Sequence, residues 1–132
     1  MNKILAVNGR WYDVLVPQNG GLTREISILD GSNTERLMSG GIQFDTIGTY
    51  YNYTYNVVRD GGNLADYDAL HKELRNPKSR RKLITVPFDQ TFITFEAYIS
   101  SVSDSLSRIK NGKNYWDGMS IKFIATDPNE VA

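Results

Sequence analysis

The chain has 132 residues, 40% hydrophobic and 23% charged, with 15 basic and 15 acidic side chains and a formal net charge of zero. That length and composition predict one folded domain over 1–132 rather than a disordered chain, and the charge balance removes any global signal for nucleic acid or a membrane surface. With no cysteine and a single histidine, disulfides, thiolate chemistry and the usual His/Cys zinc site are excluded.

No apolar run approaches the ~20 residues that cross a bilayer. The start, Met1-Asn2-Lys3-Ile4-Leu5-Ala6-Val7, has too short an apolar stretch for a signal peptide and reads as a strand. The expectation is a protein made and used in a cytoplasm, or in something assembled there. Zero net charge also removes one protection against self-association.

In chain order, residues 4–7 predict a short strand, and Asn8-Gly9 is the strongest two-residue hairpin signal. Residues 11–16 predict a second strand, stopped by Pro17 and the turn 18–21. Residues 22–29 alternate, with Leu22, Arg24, Ile26 and Ile28 on one side. Residues 30–46 then carry two turn clusters and no clear period, which predicts a long loop or arm. Loops of this length are often functional or order against a partner; a plain surface excursion is the other reading.

Residues 47–58 are strictly period two: Ile47, Thr49, Tyr51, Tyr53, Tyr55 and Val57 share one face. This predicts the central strand of an antiparallel sheet, about twice the usual length. Buried tyrosine rings whose hydroxyls reach polar partners suit such a face; a stacking platform for sugars or bases is the less favoured alternative. Residues 59–63 break the pattern, and the period then changes. Leu64, Tyr67, Leu70, His71 and Leu74 form a helical stripe over 64–75, with Asn63 as N-cap, early acids, and Asn76-Pro77 as the stop.

Residues 78–82 are a basic loop, and 83–88 a strand that ends at Pro87 or lies on an edge. Residues 91–100 predict a strong strand. Residues 101–112 are weaker, read as strand over helix, and Asn111-Gly112 is a hairpin turn. A last strand covers 119–126 before Asp127-Pro128 and a short polar tail. The fold class is therefore mainly β with one α-helix: an antiparallel β-sandwich or partly closed barrel, the helix flanking the sheets.

Chemistry is thin. His71 has no nucleophile pattern beside it and reads as a packed helix residue. Asp60, Asp66 and Asp68 lack the glycine and terminal glutamate of a calcium loop and read as capping residues. Neither Gly40-Gly41 nor Gly61-Gly62 has phosphate-loop spacing, and no Gly-x-Ser-x-Gly elbow occurs. No catalytic residue, cofactor or metal is expected. The residues expected to interact are Glu35, Arg36, Leu37 and Met38 in the arm and Arg80, Arg81 and Lys82 in the basic loop. That loop lacks interleaved aromatics, so a solvated or inter-subunit ion-pair surface is favoured over nucleic acid.

Three stretches together resemble small tail proteins of long-tailed phages and prophages of Gram-positive bacteria. They are Arg24 within Leu22-Thr23-Arg24-Glu25 with the Met38-to-Gly48 stretch before the long strand; Asp66-Tyr67-Asp68-Ala69-Leu70-His71-Lys72-Glu73-Leu74; and Tyr115-Trp116-Asp117-Gly118-Met119, read as a Trp-x-Gly turn opening the last strand. The element order is similar to the β-sandwich of tail-tube and distal-tail proteins. The resemblance implies a non-enzymatic structural component of a tail tube or baseplate. It also implies a homo-oligomeric ring, commonly six-fold, that contacts other tail proteins, assembles in the host bacterial cytoplasm and resides in the virion. The extra C-terminal domain of a full distal-tail protein has no counterpart here. The alternative is a monomeric β-sandwich that binds carbohydrate or peptide, with nucleic acid less favoured.

Overall fold

The computed structural model describes residues 3–14, 16–17, 20–31, 34–58 and 64–131. The strands are β1 (Lys3–Val7), β2 (Arg10–Asp13), β3 (Leu22–Asp30), β4 (Glu35–Arg36), β5 (Ile42–Gln43), β6 (Thr46–Val58), β7 (Arg81–Phe88), β8 (Thr91–Lys110), β9 (Lys113–Ala125) and β10 (Glu130–Val131), with helix α1 (Leu64–Leu74) between β6 and β7. Eight strands form one antiparallel sheet in the order β3–β6–β9–β8–β7–β1–β2, and β10 continues along the β9 side of β6. β4 and β5 make a separate two-stranded ribbon.

The sheet folds over so that its two halves face each other, a sandwich-like arrangement not closed into a barrel. One continuous sheet thus supplies both layers, where the sequence predicts two. The β6 tyrosines mark the contact. Tyr53 donates its hydroxyl to the Pro87 carbonyl at 2.8 Å, Tyr55 to the Ile4 carbonyl at 2.6 Å, and the Tyr51 ring stacks on Phe88 at 5.1 Å. Each ring is buried and each polar tip satisfied, as the period-two face requires. β6 is an inner strand, one in from the β3 edge rather than central.

Both Asn-Gly turns form hairpins, with Asn8 and Gly9 at φ 51° and 84° and Asn111 and Gly112 at 52° and 71°, the left-handed pair such a tight turn needs. The segment after residue 100 continues β8, which runs 20 residues with ladder irregularities at Ile99/Ser101 and again between Asp104 and Arg108; bulges let so long a strand coil. Gly118 lies inside β9 opposite Val58, so no turn opens that strand. Pro87 sits within β7, beyond the last β1 pair at Ala6–Thr85, where its missing N–H breaks no bond to β1. The polar tail is held: Asn129 accepts from the Tyr51 amide at 2.8 Å, and Glu130 pairs with Thr49. β9 leaves β6 at Asn52, and the tail takes the edge so exposed.

α1 buries Tyr67, Leu70 and Leu74 in the main core, while Leu64 at the helix start is 40% exposed. Asp66 accepts from the Asp13 amide at 2.6 Å and meets Arg10 at 3.4 Å. It thus ties the helix to β2, where the sequence gives it only a capping role. The expected Asn63 cap, Asp60, and the 59–63 break lie outside the described residues, as does part of the 18–21 turn.

Candidate interaction surface

The predicted arm is the tip of a long hairpin. β3 and β6 pair from Leu22–Tyr55 to Asp30–Thr46, and the chain beyond carries the β4–β5 ribbon. Gly31 donates to the Asp45 carbonyl, the Thr34 hydroxyl accepts from the Asp45 amide at 2.7 Å, and Arg36 reaches the Gly40 carbonyl at 2.8 Å. These bonds give a loop-like sequence a defined shape without a core of its own.

That shape presents apolar groups to solvent. Half of the large exposed apolar side chains among the described residues lie within 26–47. Ile26, Ile28 and Ile47 share the face of Tyr51 yet are 49%, 66% and 44% exposed, because the opposite layer does not extend over them. At the tip, Phe44 is 65% exposed and Met38 fully so, with Leu37 and Ile42 beside them. Exposed apolar groups gathered on one projection make the arm a candidate interaction surface. The alternation of β3 signals an apolar face; that none of the described residues covers it was not legible in the sequence.

The two sheet edges differ. At β2 the helix intervenes through Asp66. At β3, nine residues long, the outer edge has no strand partner among the described residues, leaving backbone donors and acceptors open. Arg24 of β3 crosses instead to the opposite layer, with its guanidinium 2.9 Å from Asp89 and over the Phe88 ring.

The seven expected interaction residues fall in three environments. Glu35, Arg36, Leu37 and Met38 are exposed together on the arm. Arg81 is paired with Glu96 at 2.8 Å across β7–β8, holding the Glu96 carboxyl below its ordinary range together with Thr126, while Arg80 is exposed beside it. Lys82 is corrected outright: it is a strand residue, 1% exposed, donating to the Glu73 carbonyl at 2.7 Å. Its charge serves the C-terminal end of the helix and is not offered to a partner. The arm and the start of β7 do not form one site.

The His71 region is a small cleft of about 290 Å³ lined by Tyr67, Asp68, His71, Arg75, Asp104 and Trp116. His71 Nδ1 accepts from the Arg75 guanidinium at 2.7 Å, and its Nε2 lies 3.6 Å from Asp104, which joins the helix to β8. Among the described residues no three His, Asp or Glu side chains cluster so as to hold a metal ion, and no helix is long and apolar enough to cross a membrane.

No protein-family model matches the chain, and no curated protein matches its sequence.

Proposed function

We propose that this chain is a structural subunit that works by assembling with copies of itself, as a ring component of a phage tail or tail-like particle. The observation that carries the assembly reading is the β3–β6 arm, where Ile26, Ile28, Met38 and Phe44 stand in solvent beside an open strand edge. An open edge and an uncovered apolar face are costly on a free monomer and useful where a neighbour completes them. The tail context, the six-fold order and contacts with other tail proteins rest on the resemblance of the three sequence stretches.

The test is the solution mass by light scattering, with negative-stain images of the same peak. Rings, short tubes or a mass near six copies are expected. A chain that remains monomeric at every concentration would turn the reading to a binding module.

A further inference from the structure

The zero net charge hides two oppositely charged projections. Between residues 25 and 45 the arm carries Glu25, Asp30, Glu35 and Asp45 against Arg36 alone. At the other projection, the tip of the β8–β9 hairpin, residues 105–114 carry Arg108, Lys110 and Lys113 and no acid, and every one of them is exposed. The tip also presents Ile109 and Leu106, 67% and 42% exposed. β8 pairs with β7 only as far as Tyr98, so beyond it that edge has no strand partner among the described residues.

We propose that the basic β8–β9 tip of one copy docks on the acidic β3–β6 arm of a second copy. Three features match across the pair. The charges are opposite, which steers encounter and fixes register. Each projection carries uncovered aliphatic side chains, Ile109 and Leu106 against Ile26 and Ile28. Each has a strand edge without a strand partner among the described residues, β3 along its nine residues and β8 beyond Tyr98, so backbone bonds can join them. Arm and tip are different surfaces, so the contact is heterologous. Every docked copy leaves one free arm and one free tip, and the contact propagates into a ring or filament. This deepens the assembly reading and rests on it.

Charge reversal tests the pairing. Arg108→Glu with Lys110→Glu on the tip, or Glu25→Lys with Glu35→Lys on the arm, should each weaken self-association about a hundredfold. The four substitutions combined in one chain should restore it, as should mixing the two reversed proteins. Sedimentation reads the association, and an unchanged urea midpoint verifies that each variant folds. Wild-type association should also weaken with rising salt. If the wild type forms rings and the reversals leave them intact, this docking is wrong and the assembly reading stands. If only the arm reversal dissociates the rings, the arm meets some other surface. A wild type that never associates removes both.

Discussion

The Lys82 ammonium, 1% exposed, donates to the Glu73 carbonyl at 2.7 Å and lies 3.5 Å from the Glu73 carboxylate. A buried cation thus closes the last turn of α1 and fastens it to β7. Truncation to Ala removes a charge-assisted bond and leaves a cavity beneath the helix end. We expect Lys82→Ala to cost about 2–3 kcal/mol, read as a lowered urea midpoint. A loss within 0.5 kcal/mol would mean that the helix is held by its apolar stripe alone.

The Tyr55 hydroxyl should set the alkaline limit of stability. Burial pushes its pKa far above the ordinary value, with Tyr53 raised for the same reason. A group whose pKa is raised by folding contributes its full stability below the unfolded value of about 10 and loses it above. Stability should therefore be flat through neutral pH and fall beyond about pH 10. Tyr55→Phe should cost about 1–2 kcal/mol at pH 7 through the unpaired Ile4 carbonyl while making the alkaline fall shallower. Urea melts across the range measure both effects, and an unaltered alkaline slope would exclude Tyr55 as its source.

Gly118 stands at φ +142° in β9, and a Cβ there would overlap the Val57 carbonyl oxygen. Both the backbone conformation and the close approach of β6 demand glycine. Gly118→Ala should cost about 1–3 kcal/mol from the conformation alone, with more from the overlap, seen as a lowered thermal midpoint. A neutral result would require β9 to shift its register against β6.

The arm should be separable from the fold. Deleting residues 35–40 removes the exposed ribbon and its turn without touching the core cluster. The shortened chain is expected to keep its far-ultraviolet dichroism and to sediment as a monomer. Unchanged oligomers would dismiss the ribbon as a contact.

Much of this fold is local and was legible. The Asn-Gly turns, the alternating face of β6 and the stripe of α1 depend on neighbours a few residues apart. The basic run was not. Lys82 falls in phase with Ile84 and Val86, all buried, while Arg81 and Leu83 face outward. Extending the alternation of β7 two residues back would have placed it in the core, but a lysine is rarely found there without a partner, and that partner is Glu73, on a different element. The tail at Glu130 was equally hidden, because its place depends on where β9 leaves β6.

The sequence by itself determined the β-rich class, the helix α1 and the two Asn-Gly turns, since backbone conformation and side-chain period are set over short spans. Only the tertiary structure decided which apolar face stays in water. Ile26 and Ile28 alternate with Glu25 and Ser27 like a buried face, and Tyr51 across the ladder is buried. Whether such a face is covered depends on how far the opposite layer extends, and no local pattern carries that distance.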